Sequence, residues 1–545
     1  MKSIKTIIGA ALSFGLLTAC NGNGSGTQAL EYLAVQFEKG DSWSIIGKDG
    51  KVVVKEEYSP DDKISLISPE GAYWVKSGEK LQLYNIKDPK KAVSDTEYDA
   101  ATEFAAGRSV VSVQGKPLQV IDTGGKVIAT LPKEMTVVLG YAPCGLARFA
   151  KEAESKMGCI DRSGKVVFED EYIDISQFNG GLANAVKKEF TGYDIYDGNG
   201  KRVGQFPRGS YELFTTENGG NLLAARKVDA GENEPMVFLG TDGKRVFSVK
   251  HSDGSRWENV YSVFRDGYSV FANKEGMMGI VNDKGEEMVR PKYDWLHNFG
   301  GGWFGVRKGD KRGIISAEDE TIADFDYEDF LNSMMGNNFV LKQDGYWYLI
   351  GPDGKEVSKD GFVSIALSPC SYGVTYVDTE ALAALFVDEI EGFDPTVTPE
   401  KLAKTKLSKD EPEYQDQYHV YMEYKTSLGK DLMAEYSCRF EETLAVEKTH
   451  QETTNDGWFT STHTVYDGLG WNNSPLGGFY MKVDLSSKNV SCKSVCEAIS
   501  GSLKGKGYTD EGEGWMSKQV KGKTMRIKAE EDSSGNTINV FGQIS

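Results

Sequence analysis

The chain has 545 residues, enough for two or more domains, and its 26 Tyr, 25 Phe and 9 Trp can furnish a large core. With 62 basic against 81 acidic residues its formal charge is −19, which excludes the basic footprint that a nucleic-acid binder needs. An acidic balance favours solubility and leaves the fold open.

Residues 1–20 read as a processing segment and stand apart from the fold. Lys2 and Lys5 give a positive start, and the apolar run from Ile7 to Leu17 is too short to cross a hydrocarbon core of about 30 Å as a helix. The run ends in Leu17-Thr18-Ala19-Cys20, which resembles a bacterial lipobox and makes Cys20 the expected lipid attachment residue. Each buried CH₂ of an acyl chain contributes about 0.8 kcal/mol, so a multiply acylated Cys20 would hold the chain on a membrane. Residues 21–40 read as a flexible tether, Asn21 to Thr27, leading into a first strand. The expected address is the bacterial cell envelope, extracytoplasmic and lipid-anchored, with the outer membrane favoured.

Six further cysteines, Cys144, Cys159, Cys370, Cys438, Cys492 and Cys496, follow. An oxidising compartment permits disulfides, and six thiols allow fifteen pairings among which spacing does not choose.

From Trp43 to Val357 a turn signature recurs. Its glycine slot falls at Gly50, Asp88, Gly125, Gly164, Gly200, Gly243, Gly285, Asp319 and Gly354, with a mean spacing of about 38 residues. Glycine or aspartate in this slot points to a tight hairpin whose backbone needs positive φ. Seven residues upstream of each slot stand Trp43, Leu81, Leu118, Met157, Tyr193, Met236, Met278, Arg312 and Trp347, all but Arg312 large and apolar, which predicts a shared core position. Better copies continue through a second strand to a tyrosine, a phenylalanine, a glycine pair and a third strand, as at Tyr172, Phe178, Gly180-Gly181 and Leu182 to Val186. Each unit is therefore an antiparallel meander of three or four strands, too small to cover its own apolar faces. Stacking such units over 41–370 predicts a mainly β, propeller-like ring, with a β-solenoid as the alternative.

The same residues resemble the WG-repeat family, also called KWG repeats. The copies at 157–186 and 278–306 carry most of its pattern: a glycine after a large residue, an apolar strand, a Gly turn, Tyr, Phe and a glycine pair. Trp-Gly itself is missing from the naming slot, which holds Trp43-Ser44, Met157-Gly158, Met278-Gly279, Arg312-Gly313 and Trp347-Tyr348. The resemblance implies architecture and brings no active site.

Past about Ser371 the period is lost, and 371–545 reads as an α+β domain. Asp378 caps an amphipathic helix carrying Leu382, Leu385, Phe386 and Ile390, and Thr398-Pro399-Glu400 opens a second. Tyr418, Val420, Met422 and Tyr424 share one strand face, as do Ala434, Tyr436, Cys438 and Phe440. Ser491 caps a third helix with Cys492, Val495, Cys496, Ile499 and Leu503 on one side. Strands at 514–518, 524–529 and 537–544 follow.

Chemistry is sparse. Walker, Gly-x-Ser-x-Gly and His-Glu-x-x-His motifs are absent, and no two of the five histidines, His251, His297, His419, His450 and His463, stand within four residues. Asp194 to Gly200 and Asp532 to Asn536 are acidic loops, but neither has the bidentate Glu of an EF-hand, so hairpin turns explain them. Cys492 and Cys496 make one pair of thiols, too few for a zinc site. No metal or cofactor is expected. Tyr172, Tyr293, Trp295 and Trp303 are the candidate binding-surface aromatics, suited to sugar stacking or a protein hot spot, with packing between units as the other reading. The sequence favours a non-enzymatic scaffold for a protein or polysaccharide. The alternative is an envelope carbohydrate-active enzyme with paired carboxylates on the propeller, and an inhibitor-like C-terminal domain ranks third.

Overall fold

The computed structural model describes residues 29–151, 154–178, 182–188, 191–207, 209, 211–213, 223–227, 237–240, 244–248, 259–260, 264–273, 275–358, 360–366, 368–399, 401–402, 419–428, 432–441, 446–455, 460–470, 475–486 and 490–545. Cys20 with its signal segment and tether, Met236, Gly243, His251 and the Gly180-Gly181 pair lie outside the described residues. Two compact units divide the chain between Tyr376 and Val377.

The first unit is a succession of small antiparallel sheets, nine among the described residues, of which the fourth to eighth are representative. The fifth runs Tyr172–Ile175, Leu182–Lys187, Gly192–Asp197 and Arg202–Pro207, each strand pairing with the next. Its second strand shows why the inner strands do not alternate in polarity. Ala183 and Ala185 pack toward the fourth sheet, while Leu182 packs toward the sixth, so both faces are apolar. The fourth strands behave differently: Val166–Asp170 is half-buried to exposed along its length and forms an outer edge.

Every sheet lends its faces to two neighbours. Tyr58 and Tyr73 join the first to the second, Trp74 and Phe104 the second to the third, Leu118 and Phe149 the third to the fourth. Cys159 and Tyr196 join the fourth to the fifth, and Phe206 and Leu223 the fifth to the sixth. Phe238 of the sixth meets Phe264 edge-on at 5.1 Å on the way to the seventh. Met278 and Phe304, then Ile314 and Phe339, carry the contact through the eighth to the ninth sheet. Finally Val340, Leu349 and Phe362 pack with Leu33, Val35 and Ile46 of the first, so the circuit of contacts returns to its start.

The recurring turn has one hydrogen-bond scheme. Asp161 N–H donates to Lys165 O at 2.9 Å and Gly164 N–H to Asp161 O at 2.9 Å, a type I turn followed by a left-handed residue. The pairing register slips one residue immediately beyond it, the mark of a G1 bulge. The same scheme holds at Gly47/Gly50, Asp122/Gly125, Asp197/Gly200, Asn282/Gly285, Ser316/Asp319 and Gly351/Gly354. At the bulge φ is +74° for Gly50 and Gly125, +79° for Gly164, +76° for Gly200 and Gly354, +84° for Gly285 and +69° for Asp319. Asp88 differs: its N–H reaches Asn85 O, but it is not left-handed, and its sheet stops at three strands.

Glycine is needed here for a second reason. A Cβ on Gly164 would sit 2.6 Å from the Ala129 Cβ of the preceding sheet, and one on Gly200 2.3 Å from Val167 Cγ1. On Gly50 it would meet Ser358 Cα at 3.1 Å, and on Gly354 the Ile322 carbonyl at 2.5 Å. The turns at Gly164, Gly200 and Gly354 are thus seated on the outer strand of the sheet before, and the turn at Gly50 on the segment that follows the ninth sheet.

The position seven residues upstream divides. Trp43, Leu81, Leu118 and Met278 are buried, whereas Met157, Tyr193, Arg312 and Trp347 are half-buried.

Among the described residues the second unit packs the helices Thr379–Gly392 and Cys492–Gly505 together with an antiparallel seven-stranded sheet. The Asp378 carboxylate accepts the Ala381 N–H at 3.1 Å and the Ser491 hydroxyl the Ser494 N–H at 3.4 Å, capping both helices. Phe386, Ile390, Val495, Ile499 and Leu503 bury against Met422, Tyr436, Met481, Ile527 and Val540. Cys492 and Cys496 lie in that core as free thiols, and burial raises them to about 11 and about 12. All six described cysteines are free.

Gly164→Ala is expected to lower stability by about 2–4 kcal/mol, combining left-handed strain with overpacking. Gly40 has φ +87° with nothing within 4 Å of its would-be Cβ, so Gly40→Ala should lose only about 1 kcal/mol. Equal urea midpoints for the two variants would refute seating of the turn on its neighbour.

Candidate functional site

Two of the four aromatics proposed as binding surface are core residues. Tyr172 is buried, with its hydroxyl 2.8 Å from both the Asp194 carboxylate and the Tyr196 hydroxyl. Tyr293 is buried and donates to Asp319 Oδ1 at 2.7 Å, tying the seventh sheet to the bulge residue of the eighth. Lys292 also bonds Asp319, so the aspartate that stands in the turn slot here has two side-chain partners. Trp295 is half-buried, stacked on His297 at 5.7 Å and Phe330 at 5.5 Å, and Trp303 is half-buried edge-on to Phe339 at 6.2 Å. Tyr172 and Tyr293 are closed to a ligand because neighbouring sheets need these rings to fill their shared core, while Trp295 and Trp303 keep part of their surface exposed.

Asp194 has 0% exposure and departs from the repeat in an informative way. In the fourth and seventh sheets this position is Gly158 or Gly279, opposite Phe149 or Phe271, whose ring would approach a Cβ to 2.8 Å. The fifth sheet exchanges the pair for Asp194 opposite Ala185. The carboxylate occupies the space of the missing ring, held by Tyr172, Lys187 at 3.2 Å and Arg202 at 3.6 Å.

Polar groups also gather where the chain leaves the ninth sheet. Ser364–Ile365 pairs with the first strand of the first sheet, and Ser371 N–H donates to Ala101 O of the third at 2.9 Å. Gly373–Thr375 then pairs with Val137–Leu139 of the fourth. This strap therefore crosses the edge opposite the outer strands, and it holds 371–376 in the first unit. Along it, Ser368 donates to Glu103 Oε1, which also receives the Leu66 N–H at 3.4 Å, and Cys370 and Ser65 face the same carboxyl. Loss of hydration raises Glu103 to about 7, against the stabilising hydrogen bonds to its ionised form. Farther along, the Tyr372 hydroxyl accepts from Arg148 and Gln177, with the guanidinium 5.6 Å from the ring centre. His297, its Nε2 2.8 Å from Asn332 O, is lowered to about 4 by burial.

Among the described residues no three His, Cys, Asp or Glu side chains converge as metal ligands. In the two acidic loops Asp197 and Asp532 are turn residues: Asp197 Oδ1 accepts the Asn199 and Lys201 N–H groups at 2.9 Å, and Asp532 Oδ1 accepts Thr537 N–H at 3.2 Å.

The seated turns form an overlapping rim. Just past their glycines stand Lys51, Lys126, Lys165, Lys201 and Lys355, followed by the exposed Val52, Val53, Val127, Val167 and Val357. Sequence reasoning did not single out this rim, Glu103, Arg148 or Tyr372. The recurrent Gly-Lys-Val was its one visible signal.

The WG containing repeat family model matches residues 157–189 and 278–311. No curated protein matches the sequence. Among solved structures, BamB from Moraxella catarrhalis is similar at 11% identity, covering 54% of this chain and 91% of its own, with a TM-score of 0.29. Hsv2p from Kluyveromyces lactis is similar at 10% identity, covering 53% and 93%, with a TM-score of 0.25.

A Glu103 carboxyl raised to about 7 in the fold, from a usual 4.5, stays protonated while the unfolded chain ionises. Its contribution to stability is therefore complete below pH 4.5 and lost as pH rises to about 7, by an amount of order 2 kcal/mol after allowance for partial exposure. The urea midpoint should fall more steeply between pH 5 and 7.5 in the wild type than in Glu103→Gln. Parallel profiles would show that Glu103 does not titrate in this way.

Proposed function

We infer that this chain is a lipid-anchored bacterial envelope protein whose β-repeats close into a propeller-like ring and act as a non-enzymatic binding scaffold for a protein or polysaccharide. The observation that carries the reading is the returning circuit of sheets, with Val340 and Leu349 packed on Leu33 and Ile46. A stack without exposed end faces is rigid, and its turn residues can vary without disturbing the shared cores. The overlapping rim of lysines and exposed valines is the broad surface such a scaffold presents. Anchoring rests on Leu17-Thr18-Ala19-Cys20. The C-terminal α+β unit supplies a second contact in this reading.

Two measurements test it. Cys20→Ala should abolish metabolic palmitate labelling and move the protein to the soluble fraction; unchanged labelling refutes the anchor. Cross-linking in intact envelopes should capture the same partner with the full chain and with a version ending at Tyr376. A partner captured only through 377–545 would transfer the binding role to the second unit.

A further inference from the structure

The rim is not uniform in charge. The turn of the eighth sheet, Ser316-Ala317-Glu318-Asp319-Glu320, is acidic, whereas the fourth sheet's turn, Asp161-Arg162-Ser163-Gly164-Lys165, faces outward with two cations. Its single carboxylate is occupied: Asp161 Oδ1 accepts Ser163 N–H at 2.7 Å, Ser163 O–H at 2.6 Å and Lys165 N–H at 3.1 Å. Neither Arg162 nor Lys165 has an ion-pair partner within 4.0 Å among the described residues. Asp197 in the next turn is likewise held by two N–H groups.

Between these two turns lies a cavity of about 480 Å³, lined by Arg162, Lys165, Leu146, Val166 and Val167 together with Asp161, whose Oδ1 is taken up within its own turn. It has the size of a small-ligand site. Arg162 is positioned from two directions. Its stem lies against Gly145, where a Cβ would come within 3.1 Å of Arg162 Cδ, and its carbonyl accepts Arg108 Nε–H at 2.9 Å. Arg108 thereby places a third cation beside the groove. Val166 and Val167 begin the outermost strand of the fourth sheet, whose outer edge has no strand beside it among the described residues.

We propose that this groove binds an extended acidic peptide segment of a partner protein. Its carboxylates would lie against Arg162 and Lys165, and its apolar side chains on Leu146, Val166 and Val167. Charge complementarity selects the acidic end, and the open strand edge offers backbone pairing to an extended chain. No aromatic ring lines the groove to stack on a sugar, which favours peptide over glycan. Glu169 and Asp170 at the far end of the strand set the polarity: the acidic residues belong at the Val166 end and uncharged ones beyond. This inference rests on the scaffold reading and names its partner chemistry.

The test uses the full chain and a blocked hexapeptide of two glutamates followed by alternating valine and threonine. Its two-glutamine counterpart and an oligogalacturonate serve as the other arms. Calorimetric titration should show the glutamate peptide binding at least tenfold more tightly than the glutamine peptide. Arg162→Glu and Lys165→Glu, each checked for an unchanged melting curve, should each weaken it at least tenfold, while Lys284→Glu on the seventh sheet's turn should not. Bound peptide should also slow maleimide labelling of the exposed Cys144 in the same groove. Equal affinity for both peptides, indifference to charge reversal, absence of peptide binding, or binding of the oligogalacturonate alone would overturn the groove. An envelope partner captured equally by wild type and Arg162→Glu would overturn it too while leaving the scaffold reading intact. Absence of any partner for the wild type would overturn the scaffold reading as well.

Discussion

A sheet of three or four short strands has two apolar faces and can cover neither, so every part of the first unit depends on how one sheet meets the next. Here the meeting is made twice. Large side chains such as Trp74, Phe149 and Phe304 fill the space between faces. At the periphery left-handed glycines seat turns on the strand before, as Gly164 does on Ala129 and Gly200 on Val167. The glycine therefore answers to two constraints at once, backbone conformation and close approach, and a side chain would violate both. Because the last sheet packs on the first, the succession leaves no pair of bare end faces to cap.

Departures from the repeat show how a local loss is offset nearby. Where the glycine of the turn is missing, Asp319 takes up the left-handed conformation and holds Tyr293 and Lys292. Where the glycine–phenylalanine pair is missing, Asp194 stands in its place, with the Tyr172 hydroxyl donating to one carboxylate oxygen and the Lys187 ammonium 3.2 Å from the other. In both places the exchanged residue brings in a carboxylate, half-buried at Asp319 and fully buried at Asp194, and a tyrosine hydroxyl meets it, because a buried carboxylate without partners is strongly destabilising.

The candidate aromatics illustrate the limit of reading surface from sequence. Tyr172 and Tyr293 stand next to acids, Glu171 and Asp294, the same company kept by ligand-binding rings. The meander carries them inward because each sheet has a neighbour on both sides. What remains outside is the turn chemistry itself, lysines and short valine runs, whose regular recurrence was visible although its role as a rim was not. The Glu103 cluster had no sequence signal at all: Ser368 lies 265 residues from its partner.

By itself the sequence determined what is settled within a few residues. Asp161 to Lys165 closes its own turn through hydrogen bonds spanning four residues, so a glycine or aspartate at fixed offset is legible wherever it recurs. The helix caps at Asp378 and Ser491 were legible for the same reason. Only tertiary structure decided that Gly373–Thr375 would pair with Val137–Leu139, that the ninth sheet would cover the first, and that Arg162 and Lys165 would border a groove. Those outcomes depend on which apolar faces and strand edges remain uncovered once every local element has formed, and a face is left bare or covered by the arrangement of the whole unit.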